Sequence, residues 1–359
     1  MSAAGRDSDI PDSDAYDGAP HPRFAQRLYG HLPAETEMLN AYRTGRLAHA
    51  WLIGGAPGVG KATLAWRFAR FLLSHPDPNS RAVSQARDLA VEDSHPAARL
   101  LAGHAHPDFA LLRREWDAKT KKHFTLIRVD DVREKLGVFQ LSAAYGGWRV
   151  AIVDAADDLN VASANALLKV IEEPPPRSLI LIIAHRPGQV LPTIRSRCRR
   201  LILEPLTPEN VVNVVDGLGA PWATAGEDRI AAAAARADGS VREALRWLDP
   251  KAQEIGALID RAIARLPQSD PQVVIKIADA VAGRESEDNF ERFTLAIFDW
   301  LATQARQPST PARLEAIADL WRVLRAQTDE TEAVNLDKRV HVVALFEAIA
   351  QRGRALRSA

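Results

Sequence analysis

From His49 to Leu203, short apolar runs alternate with stretches of helical spacing; from Pro208 onward only helical spacing remains. The run 49–53 reads as a buried strand. It is followed at once by Gly55-Ala56-Pro57-Gly58-Val59-Gly60-Lys61. Leu64, Phe68 and Leu72 then recur at i, i+4 and i+8, one face of a helix. Residues 108–112, 125–129, 148–153, 179–183 and 201–203 read as further strands. Helices are predicted from Asp130 or Asp131 to about Phe139 and around 164–171, the latter stopped by Pro174-Pro175-Pro176. Strands apolar along their whole length belong to a parallel sheet covered on both faces. Residues 208–218, 230–237 and 241–248 then read as helices, as do 252–265, 271–283, 288–306, 310–327 and 338–353. The expected division is a disordered tail over 1–20, an α/β P-loop domain over 21–205, a small helical unit over 206–250 and an all-helical unit over 251–359.

Charge narrows the function classes. The chain has 359 residues with 46 basic and 46 acidic side chains. A dedicated nucleic-acid binder is usually basic, so DNA contact would need a local patch such as Arg195, Arg199 and Arg200. Cys198 is the one cysteine, which excludes an intrachain disulfide and a cysteine-based zinc cluster. His75, His95, His104, His106 and His123 lie in weakly periodic sequence without zinc-ligand spacing, so no structural metal is expected. No secretory signal and no apolar run of membrane-spanning length is seen, which fits a cytoplasmic chain with no membrane partner.

Four segments carry candidate chemistry. In the glycine loop, Gly55, Gly58 and Gly60 let backbone N–H groups converge on a phosphate, with Lys61 as a point charge at the helix start. The position after the lysine, where a hydroxyl would hold magnesium, is Ala62; Thr63 lies one residue on, about 100° round the helix. Asp154, at the end of the strand over 148–153, is a candidate magnesium ligand. The next residue, where a glutamate would polarise the attacking water, is Ala155, and Asp157 is out of phase. In Ser196-Arg197-Cys198, Arg197 is either a phosphoryl-stabilising arginine or a solvated turn residue. In Gly239-Ser240-Val241-Arg242, Arg242 lies in the first turn of a helix, where a solvated face is the common outcome.

Taken with Asn165-Ala166-Leu167-Leu168-Lys169 and Glu172-Glu173-Pro174-Pro175, these segments resemble the AAA+ clamp-loader family of bacterial DNA replication. Asn335-Leu336-Asp337 is similar to a motif of that family's C-terminal domain. The resemblance implies a RecA-like AAA+ domain, a helical lid and a helical collar that joins five subunits. It implies partners: delta and tau/gamma-type subunits, and through them a sliding clamp and primer-template DNA, within the polymerase holoenzyme. It implies that Arg197 acts as an arginine finger on a neighbour's ATP, that Arg242 senses nucleotide, and that Tyr29 and Gly30 lie near the adenine. Family relatives often carry a four-cysteine zinc module that this chain lacks. Ala62 and Ala155 place it with the non-hydrolysing stator type, binding ATP or ADP weakly or without turnover and with an open question over magnesium. The alternatives are a catalytically active tau/gamma-type motor and a scaffold with an empty, vestigial P-loop.

Overall fold

The computed structural model describes residues 12–16, 18–120, 122–282, 286–334 and 336–352. Its strands are β1 (Ala50–Gly54), β2 (Phe109–Leu112), β3 (Trp116–Asp117), β4 (Lys122–His123), β5 (Arg149–Val153), β6 (Ser178–Ala184) and β7 (Arg199–Ile202). Helices in the same region are α1 (Leu32–Arg43), α2 (Lys61–Ser74), α3 (Arg81–Gln85), α4 (Pro96–Ala102), α5 (Val129–Lys135), α6 (Val161–Glu172) and α7 (Pro192–Arg195). α8 (Pro208–Gly217), α9 (Glu227–Arg236) and α10 (Val241–Leu248) follow. The remainder is α11 (Pro250–Ile263), α12 (Pro271–Ala282), α13 (Ser286–Arg306), α14 (Pro311–Val334) and α15 (Lys338–Arg352).

Five strands form one parallel sheet in the order β2-β5-β6-β1-β7. This is the expected α/β domain with a parallel sheet. β1 and β6 are buried at every position, which explains the apolar runs over 50–53 and 179–184. Side chains alternate between the faces. Trp51 and Ile53 join Leu64 and Phe68 of α2 and Met38 of α1 on one side; Leu52 joins Val132 of α5, Leu167 of α6 and Ile182 on the other. Asn160 caps α6 by accepting the Ser163 N–H at 2.9 Å. Because all five strands are parallel, β1, β5 and β6 end side by side on one rim, where open α/β sheets hold their ligands.

Two compact units divide between Leu245 and Arg246, within α10. The second unit packs α11 to α15 around Ile277, Phe293, Leu320 and Leu345. His341 is buried there; one ring nitrogen lies 2.8 Å from the Thr331 hydroxyl. Asn335 lies outside the described residues.

Several local expectations differ from the structure. Residues 125–129 do not form a strand: Ile127 makes an isolated bridge to Leu159, and the chain then turns into α5. That helix begins at Val129 and gives way at Leu136 to a 3-10 turn, with Asp131 in its first turn paired to Arg128 at 2.7 Å. The weakly periodic stretch after α2 contains α3 and α4, and the small β3–β4 hairpin follows β2. Residues 12–16 and 18–20, expected within a disordered tail, pack on the domain: Ser13 Oγ donates to the Arg114 carbonyl at 2.9 Å. Residues 1–11 and 17 of that tail lie outside the described residues.

Candidate nucleotide site and candidate arginine finger

β1 delivers the chain into the glycine loop at the ligand rim, and α2 carries it away. Gly58 has φ +76°, and a Cβ there would sit 2.4 Å from Ser240 Oγ and 2.7 Å from the Arg242 nitrogen. Only glycine permits both the turn and the close approach of α10. Ser240 Oγ donates to the Pro57 carbonyl at 2.9 Å, and the Val241 N–H donates to the Gly58 carbonyl at 3.0 Å. The Gly-Ser-Val-Arg motif therefore caps α10 directly on the P-loop, which brings Arg242 to the cradle. Gly55 and Gly60 also take positive φ.

Lys61 is buried at the first position of α2. Its Nζ donates to the carbonyls of Gly55 at 2.7 Å and Ala56 at 2.6 Å. Loss of hydration lowers its pKa to about 8, against the pull of Asp154 and Asp157 toward the charged form; Arg242 adds to the lowering. Asp154, at the end of β5, is buried. Burial pushes its carboxyl well above the ordinary range and the charge of Asp14 adds to this, while Lys61 opposes. Ala62 packs against the core beneath α2, and Thr63 is half-buried one position further on.

The expected adenine region joins the same cluster. His31 places a ring nitrogen 2.7 Å from the Val59 carbonyl. Tyr29 is half-buried, and a Cβ on Gly30 would meet Leu206 and Asn210 at the start of α8. Leu28–His31, the P-loop, α8 and the start of α10 thus enclose one rim. The cradle has the form that suits a nucleotide phosphate: positive-φ glycines, a lysine and a helix N-terminus. For magnesium the donors are fewer, because Ala62 offers no oxygen and burial favours the neutral form of Asp154. Asp157 is engaged elsewhere: its carboxylate accepts the N–H groups of His185 at 2.7 Å and Arg186 at 2.9 Å, fixing the turn after β6. Ala155 is buried in the core.

Arg197 is not part of this cluster. It precedes β7, at the opposite rim of the sheet from the P-loop. Its Nη2 pairs with Glu172 at 2.9 Å, and Nη1 donates to the Thr193 carbonyl at 3.1 Å. The side chain is 42% exposed and borders a cavity of about 420 Å³ lined also by His49, Ile171 and Glu173. Cys198 beside it is buried, and burial pushes its thiol up to about 12, so it packs rather than reacts.

The histidines of the irregular stretch act as packing groups. His75 meets the rings of Phe71 and His95, His104 the ring of Trp66, and His106 the ring of Tyr145. Among the described residues no cluster of His, Cys, Asp or Glu has the arrangement of a metal site. None of the described helices is long and apolar enough to cross a membrane. Sequence reasoning missed Arg113 and Asp14, which lie beside Asp154; an Arg-Arg pair straight after a strand and a run of spaced aspartates were the signals available.

A family profile described as DNA polymerase III, delta subunit, matches residues 31–207. Subunit delta-prime of Pseudomonas aeruginosa is 38% identical over 151 residues, covering 42% of this chain and 42% of the relative. Over this part the chain is similar to DNA polymerase III delta-prime subunits. Delta-prime of Escherichia coli is 34% identical over 180 residues, 50% of this chain and 49% of the relative. Subunit tau of Salmonella typhimurium is 29% identical over 279 residues, 77% of this chain but 38% of the relative. The chain thus spans about half or less of the length of these delta-prime and tau relatives. Among solved structures, a gamma-subunit-related protein from Thermotoga maritima aligns with a TM-score of 0.41 and 15% identity, over 89% of this chain and 99% of that one.

Proposed function

We propose that the chain is a stator subunit of the DNA polymerase III clamp loader, which supplies Arg197 to ATP bound on an adjacent motor subunit. The observation that carries this is the separation of Arg197 from the chain's own cradle. The arginine stands exposed at one rim while the P-loop occupies the other. An arginine in that place serves a neighbour's phosphates, where a guanidinium stabilises charge on the transferring group. In this reading α8 to α10 form the lid and the helices after Pro250 the collar. The partners are delta and tau/gamma-type subunits in a pentamer that loads the clamp onto primed DNA. Its own site binds ATP or ADP with little turnover, since Ala62 and Ala155 replace the groups that hold magnesium and activate water.

The test is steady-state ATPase of the loader reconstituted with this chain or its Arg197→Ala variant. Loss of an arginine finger costs about 10³-fold or more in phosphoryl transfer. That loss is expected at the affected site, with no change in the melting temperature of the isolated chain. An unchanged rate rejects the role in trans, and motor-like turnover by the isolated chain rejects the stator assignment.

A further inference from the structure

The acidic segment before α1 runs as a strap between the sheet and the α8–α9 connection. At one end Asp12 and Asp14 both pair with Arg113, at 2.6 and 2.5 Å. Asp12 also pairs with Arg23 at 2.7 Å and Asp14 with His21 at 3.1 Å. The side chains of Asp14 and His21 are only 1% and 3% exposed. At the other end the ring of Tyr16 meets Trp222 edge-on at 5.9 Å, and Trp222 Nε1 donates to the Gly18 carbonyl at 3.2 Å. Trp222 is itself buried.

The two ends touch the two sides of the nucleotide rim. Arg113 directly follows β2, whose neighbour β5 ends at Val153, just before Asp154. Trp222 lies between α8 and α9, in the helical segment whose Ser240 and Val241 close on the P-loop. A segment with little apolar surface has no hydrophobic reason to pack; here buried ion pairs seat it instead.

We propose that residues 12–16 and 18–20 form a latch that ties the α8–α9 segment to the sheet, restrains its swing away from the P-loop, and so slows entry and exit of a nucleoside triphosphate. The buried ionic end is the anchor and the aromatic end is the catch. The gating half of this proposal rests on the P-loop reading above; the mechanical half does not.

The experiment uses the full-length chain and two variants. Tyr16→Ala frees the catch and leaves the buried pairs in place; Asp12→Asn with Asp14→Asn weakens the anchor. Hydrogen exchange read by mass spectrometry is expected to quicken roughly tenfold or more over residues 208–236 in Tyr16→Ala, as local opening becomes easier. Stopped-flow association of a fluorescent ATP analogue, N-methylanthraniloyl-ATP, is expected to quicken with it. Unchanged exchange over 208–236 in Tyr16→Ala overturns the latch, even if the anchor variant fails to fold. Faster exchange with unchanged analogue kinetics overturns the gating. If the analogue does not bind any form, the P-loop reading fails, and the exchange result still decides the mechanical half.

Discussion

Lys61 is expected to take up a proton when phosphate enters the cradle. In the free chain its ammonium is stripped of water and held against two carbonyls, and its pKa falls from 10.5 to about 8. A polyphosphate beside Nζ favours the charged form and returns the pKa toward its ordinary value. At pH 8.5 the free side chain is then about one-quarter protonated and the complexed one almost fully so, an uptake of about 0.7 proton. Affinity is expected to fall as pH rises from about 8 to 10, with a slope approaching tenfold per pH unit. Isothermal titration of ATP at pH 8.5 in two buffers of different ionisation enthalpy, with chelator present, measures the uptake directly. Lys61→Met removes it. Binding with equal heats in both buffers, or uptake that persists in Lys61→Met, refutes the argument. Folding carries the matching sign. Below pH 8 the lysine is protonated in both states and its burial costs about 3 kcal/mol. Between pH 8 and 10.5 the unfolded chain keeps a proton that the folded chain has shed, so this cost shrinks as pH rises.

Two further predictions concern buried charge. Glu35 Oε1 accepts from Arg67 Nε at 2.9 Å, from its Nη2 at 2.6 Å and from the Leu89 N–H at 3.2 Å, with both side chains buried. Glu35→Ala strands the guanidinium and is expected to cost about 3–5 kcal/mol in denaturant unfolding of the first unit; a loss below about 1 kcal/mol would contradict it. Asp154 has a raised pKa, so its neutral form is favoured on folding, and stability is lost as pH rises from 3.8 through the folded value. Asp154→Asn is expected to raise the melting temperature near pH 7 and to change it little below pH 3.8, where the aspartate is already neutral in both states. An equal shift at both values would show that titration is not the cause.

The sheet was legible because burial on both faces leaves 50–53, 150–153 and 179–184 as apolar runs. The P-loop was legible for a different reason: glycine spacing reports backbone geometry directly, as Gly58 shows. What hydropathy could not show was structure held by charge. The strap offers little to bury, and its seat depends on Arg113, about 100 residues away along the chain. Residues 125–129 looked like a strand because Ile127 packs into the core, but its backbone pairs only at one isolated bridge with Leu159 before α5 begins. The separate location of Arg197 needed the register of β7 against β1, which no local pattern encodes.

That register has a consequence for symmetry. β1 and β7 run parallel, with Trp51 opposite Arg199 and Gly54 opposite Ile202. The cradle follows one strand's end and the arginine precedes the other's beginning, separated along the strands by roughly 10 Å or more. Under the proposed function, a chain so arranged has a donor edge and an acceptor edge. A contact that joins Arg197 to another copy's or relative's phosphates through these two edges alone is heterologous, with different surfaces meeting, whereas a two-fold pair would need both edges within one interface. Repeated, such a contact gives a ring or a helix with a direction. In such an array, under the proposed function, this chain would act toward one side only, and its place in the order would set where the run of active sites begins.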